Sequence, residues 1–130
     1  MKNIFRNILI LAGIIAFAAS CQYKFIVEPT VPPVDPGDTT LPKVSFSAEV
    51  EPIFTDRNCV GCHKAGQTKP DLTTGNAYNS IMSMGLADTT DPASSIIYQK
   101  ALPSGSHYVK YTSGDAAQVL LWIGQGALNN

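Results

Sequence analysis

Two thiols and an imidazole fall within five residues of this chain, at Cys59-Val60-Gly61-Cys62-His63. C-x-x-C-H is the spacing at which two cysteines can bond one porphyrin. Each thiol adds across one vinyl group, and two intervening residues set the separation of the sulfurs. The histidine directly after the second thiol puts its imidazole under the iron, as the fifth ligand. The other chemistry open to such a pair is a disulfide or a thioredoxin-like dithiol. The chain lacks the alternating strands and helices such a domain would show. A zinc site needs further ligands, and the third and last cysteine is Cys21.

Cys21 belongs to a different pattern. Lys2 and Arg6 precede an apolar run from Ile8 to Phe17, and Ala18-Ala19-Ser20 closes it with small residues. This is a secretory leader, too short for a comfortable membrane span. A cysteine directly after small residues resembles the lipobox of bacterial lipoproteins, in which that cysteine is lipidated and becomes the new N-terminus. Ala18 stands where leucine is commonest. The alternatives are ordinary cleavage near Ser20 or an uncleaved anchor. Lipidation of Cys21 leaves only Cys59 and Cys62 as thiols, in the export compartment where c-type haem is attached.

Residues 21–43 are expected to form a tether. Pro29, Pro32, Pro33, Pro36 and Pro42 are interspersed with threonine, glycine and aspartate. Such a stretch favours extended, polyproline-like backbone and builds no core. The expected organisation is therefore a leader at 1–20, a lipidated Cys21 with its tether at 21–43, and one domain at 44–130.

The elements that must position the motif follow from periodicity. Ser47 is the expected N-cap of a first helix, with Glu49 in its first turn and Phe46, Val50, Ile53 and Phe54 on one face. Pro52 lies early enough to be tolerated or to kink it. This helix runs to Arg57 and delivers Cys59. A short helix is expected over Asn76–Met82. Asp91-Pro92 should cap another over Ala93–Ala101, with Ile96, Ile97 and Tyr98 as packing residues. Leu102–Tyr111, with Pro103 and Gly105, reads as a loop. A last helix should start near Ser113 or Gly114, carry Ala117, Leu120, Leu121, Trp122 and Ile123, and stop near Gly126. Strand signals are weak, so the fold class is all-α.

Composition bounds the function. The chain has 130 residues and a formal charge of −1. Loss of the leader leaves about 110 residues and about −3. No basic run suggests nucleic acid. So small a domain buries little apolar area, and a covalent cofactor would serve as a staple. The domain is expected to fold poorly without it.

Phe46 through Ala127 resembles the small monohaem cytochrome c domains of bacterial lipoproteins of the Bacteroidetes and Planctomycetes type. The residues that carry the resemblance are Glu51-Pro52-Ile53-Phe54, the haem motif, Asp91-Pro92-Ala93-Ser94-Ser95 and Trp122-Ile123-Gly124-Gln125-Gly126-Ala127. The resemblance implies a class I-like cytochrome c fold with one covalent haem c, held by Cys59, Cys62 and His63. It also implies that the sixth iron ligand comes from the loop before the C-terminal helix. His107 lies in that loop, where relatives often carry methionine. Met82 and Met84 are the other candidates, and an open iron is the remaining one. The family often has a proline after the motif whose carbonyl accepts a hydrogen bond from the proximal histidine, and Pro70 stands at that distance.

The implied function is a membrane-tethered electron carrier, not an enzyme, on the periplasmic face or outer membrane. Its partners would be redox proteins or respiratory complexes, with no small-molecule substrate and no nucleic acid. The alternative is a non-carrier haem module, such as a gas or redox sensor or an accessory subunit. Lys64, Lys69, Lys100 and Lys110 are candidates to surround the haem edge and steer an acidic partner, or are simply solvated. Trp122, Tyr98 and Phe54 are expected to pack in the core or line the cofactor.

Overall fold

The computed structural model describes Ile4, Asp35, Gly37, Asp38 and residues 40–130. The leader, Cys21 and most of the tether lie outside the described residues. Among the described residues the regular structure is helical, with no strand. The described residues are all-α, as the periodicity implied.

The first helical stretch opens with a wide π-turn over Phe46–Val50 and continues as α1, Glu51–Asp56. The cap is Ser45 rather than Ser47: its Oγ accepts from the Ala48 N–H at 3.3 Å. Phe46 must lie inside the helix to be buried, and that moves the cap back. Ser47 serves the other end of the chain, its N–H and Oγ both donating to the Asn130 carbonyl at 2.9 and 2.8 Å. The wide turn ends just before Pro52, whose ring and missing N–H would disturb a regular turn there.

α2 spans Ala77–Ser83, one residue later than expected at each end. The expected helix from Ala93 to Ala101 is split. Pro92–Ser94 forms a 3₁₀ turn, and α3 covers only Ile96–Gln99. Ser95 between them is extended, with ψ 128°, and buried. Two outside contacts compete with a continuous helix: the Asp88 N–H donates to Ser95 Oγ at 2.8 Å, and the Ile97 N–H to the Leu86 carbonyl at 3.0 Å. Asp91 keeps the N-cap position, but its side chain makes no capping bond.

α4 spans Ser113–Gly124. Its cap is Thr112 in a full capping box: Thr112 Oγ1 accepts from the Asp115 N–H, and Asp115 Oδ2 accepts from the Thr112 N–H. The buried face is Ala116, Val119, Trp122 and Ile123. Ala117, Leu120 and Leu121 are only half-buried, so the inward stripe is displaced from the one expected. A Schellman turn ends the helix. Gly126, with φ 99°, donates to the Ile123 carbonyl, and Ala127 donates to the Trp122 carbonyl, both at 3.0 Å.

The core gathers around Trp122, Phe46, Phe54, Ile81, Ile123, Val50 and Val119, all fully buried. Phe46 sits against Trp122 and Tyr78, with ring centres 5.0 and 5.3 Å away. Trp122 Nε1 donates to the Leu128 carbonyl at 2.9 Å and Tyr78 OH to that of Ala127 at 3.1 Å, so the polar tips are satisfied. The chain enters beside the end of α4. Gln125 grips it there, Oε1 accepting from the Val44 N–H at 2.7 Å and Nε2 donating to the Pro42 carbonyl at 3.0 Å. On the side of α3 this core opens into a cleft, whose walls Cys59, Leu72, Leu86, Ile97 and Tyr111 are themselves core residues.

Candidate haem site

Asn58 closes α1 in the left-handed region, with φ 58°, a conformation asparagine tolerates better than most residues. It turns the chain into the 3₁₀ turn Cys59–Gly61. The Cys59 carbonyl then accepts from both the Cys62 and His63 N–H groups, at 3.2 and 2.9 Å. One turn thus carries both thiols and the imidazole. The Leu72 N–H donates to the His63 carbonyl at 2.9 Å, which brings the following loop back beside the histidine.

Cys59 is buried and lines a cleft of about 330 Å³. His63 and His107 line the same cleft. Its apolar walls are Pro70, Leu72, Leu86, Ile96, Ile97 and Ala101. That size is near the lower end for small-molecule sites. Cys62 is exposed and off the lining. Both thiols are free. Burial pushes the Cys59 thiol up, which suits a protected sulfur and not the low-pKa nucleophile of a thioredoxin-like pair.

The two imidazoles lie close together, ring centres 5.8 Å apart and planes inclined by 31°. Imidazole–metal bonds of about 2 Å on opposite sides of one ion would put ring centres roughly 6 Å apart. His107 Nδ1 lies 2.9 Å from the Val109 carbonyl. A carbonyl only accepts, so in the neutral ring Nδ1 carries the hydrogen and Nε2 presents a lone pair. Such a backbone contact commonly fixes the orientation of a metal-bound histidine. His63 Nδ1 is buried with no hydrogen-bond partner. The contact expected from the Pro70 carbonyl is therefore not made, although Pro70 does line the cleft beside His63.

The other candidates fall elsewhere. Met82 is half-buried against the core and Met84 is 46 % exposed; neither lines the cleft. Trp122 and Phe54 belong to the core, and Tyr98 packs at its margin. Lys69 and Lys100 stand on the cleft lining, whereas Lys64 and Lys110 do not. Tyr111 is the lining residue the sequence reading left in a loop. Its buried OH donates to the Ile97 carbonyl at 3.0 Å, and its N–H to the Ala101 carbonyl at 2.7 Å. Burial pushes its phenol well above the usual range. The signal that could have found it is Thr112-x-x-Asp115, which makes Tyr111 the residue before an N-cap. There a hydrophobic staple packs inward against the N4 position, here the buried Ala116.

One ion pair ties the motif to α4. Arg57 Nε donates to Asp115 Oδ2 at 2.6 Å, so the capping carboxylate also holds the residue just before Asn58-Cys59. Among the described residues, no three His, Cys, Asp or Glu side chains gather closely enough to hold a bare metal ion. An iron porphyrin brings four ring nitrogens of its own and asks the protein for two axial ligands, a donor set that fits two neighbouring imidazoles in an apolar slot. No protein family, curated protein or solved structure matches the chain.

Proposed function

We propose that residues 44–130 form a class I-like c-type cytochrome domain that carries single electrons, tethered to a bacterial membrane through a lipid on Cys21. Cys59 and Cys62 would hold one haem by thioether bonds, and the imidazoles of His63 and His107 would bind its iron. The observation that carries the reading is the imidazole pair, 5.8 Å apart in a cleft that also contains Cys59.

When bound, the haem supplies a reversible one-electron change at its iron. The residues of the chain do the rest. Leu72, Leu86, Ile96 and Ile97 exclude water from the ring faces, which tunes the potential through the local dielectric. The Val109 carbonyl orients His107. Two axial imidazoles favour a lower potential than histidine with methionine, and they leave no open position for a substrate. One-electron exchange with exported redox proteins is the role that suits such a site.

A pink band that stains for haem after denaturing electrophoresis is expected; loss of pigment under those conditions would remove the covalent claim. The native protein should be six-coordinate and low-spin, with reversible reduction in a potentiometric titration. His107→Ala should shift the reduced spectrum toward high spin, and an unchanged low-spin spectrum would count against His107. Rapid carbon monoxide binding by the reduced wild-type protein would favour a sensor or accessory module instead.

A further inference from the structure

The cleft has an uneven charge. Lys69 and Lys100 stand on its lining and no aspartate or glutamate does, in a chain with a formal charge of −1. Both lysines are exposed and both belong to a lining that is otherwise mostly apolar, a setting in which a lysine stem can cover apolar wall while its head stays in water. Lys69 sits next to Pro70, in the loop that returns beside His63. Lys100 follows α3, where its N–H donates to the Ile96 carbonyl. The other lysines of the domain are occupied or distant. Lys110 Nζ donates to the Pro103 carbonyl, Lys64 is off the lining, and Lys43 lies with Gly124–Gly126. Among the described residues the one ion pair is Arg57–Asp115; Lys69 and Lys100 make none, although the Lys69 charge adds to the Thr73 hydrogen bonds that hold the neighbouring Asp71 carboxyl, which is off the lining, below the usual range.

An apolar ring that carries two carboxylate arms creates a problem for such a cleft. The ring gains by burial, whereas a carboxylate is costly to bury without a partner. The arms must stay at the mouth, and cations are the groups that hold them there. We propose that Lys69 and Lys100 form a carboxylate-binding pair at the cleft mouth that takes the two propionates of the haem. This rests on the cytochrome reading above.

The test uses the haem-loaded full-length protein and its Lys69→Gln, Lys100→Gln and double variants. Reduction potential is measured against pH. Propionates beside cations ionise early; with both cations gone, the inflection should move to higher pH by about one unit, and each single variant by part of that. Arginine at both positions should restore it. The other titratable groups on the lining do not blur this. His63 and His107 are engaged by iron, the Cys59 sulfur has no proton in a thioether, and the Tyr111 phenol is pushed up by burial. Carboxylate bands in the redox-difference infrared spectrum should move in the same variants. An unmoved inflection with unmoved bands overturns the pair, even if electron exchange with an acidic partner slows; the lysines would then be docking residues only. Absence of covalent haem in the wild type is a different outcome, and it removes the cytochrome reading itself.

Discussion

At the scale of single residues, the distinction between what the sequence discloses and what it hides is chemical. Cys59, Cys62 and His63 are legible because the C-x-x-C-H spacing is itself the signal, and the structure sets all three on one turn. His107 is legible through its place in the loop before the last helix, with Met82, Met84 and an open iron as the alternatives. The cleft separates them, because it admits His107 and neither methionine. Tyr111 was not legible, because its role depends on a carbonyl fourteen residues earlier. Tyr111→Phe keeps the ring but leaves the Ile97 carbonyl without its phenolic donor. The expected loss is about 1–2 kcal/mol in denaturant unfolding of the haem-loaded protein. A loss below about 0.3 kcal/mol would mean water replaces the phenol without penalty.

At the scale of elements, the sequence located four helical regions but not their limits. Boundaries moved where a tertiary contact outweighed a local signal. Ser47 looks like a cap, yet burial of Phe46 gives that place to Ser45. Asp91-Pro92 is a strong helix start, yet buried Ser95 and the Ile97–Leu86 bond stop the helix almost at once. α4 departs least from expectation, because it carries its own start and stop in Thr112–Asp115 and Gly126. Asp115 has a double duty there. Asp115→Ala should cost about 1 kcal/mol from the cap and add less than about 1 kcal/mol from the half-exposed Arg57 pair. Asp115→Asn should retain part of the cap and none of the ion pair. Thermal unfolding of the two variants at low and high salt separates the terms, since only the Arg57 contribution is screened.

At the scale of the whole molecule, the core and the cleft share a wall: Cys59, Leu72, Leu86, Ile97 and Tyr111 line the cleft and belong to the same buried cluster as Trp122 and Phe46. The Trp122–Phe46–Tyr78 cluster is packed and hydrogen-bonded without help from the cleft. Periodicity left Trp122 either in the core or against the cleft; the structure puts it in the core and off the cleft lining. Trp122→Ala should destabilise the domain by about 3–5 kcal/mol in denaturant unfolding. Acid should act more evenly. Hydrogen bonds from Thr73 hold the Asp71 carboxyl below the usual carboxylate range, and those from Thr90 do the same for Asp88. Both groups bind protons less readily folded than unfolded. Their stabilisation is complete above the ordinary carboxylate pKa of about 4 and is lost as pH falls below it. Melting temperatures between pH 6 and pH 2 should fall less steeply in an Asp71→Asn, Asp88→Asn double variant than in the wild type.

The grip of Gln125 on Pro42 and Val44 has a mechanical consequence. The chain arrives at the C-terminal end of α4, whereas Tyr111, Asp115 and the Arg57–Cys59 segment gather at its N-terminal end. Twelve helical residues put about 18 Å between the two. A pull transmitted along the chain from its N-terminal side loads one glutamine amide and the helix end behind it. Tyr111, which lines the cleft, stands at the other end of α4, so load entering at Gln125 crosses the length of the helix before it reaches that wall.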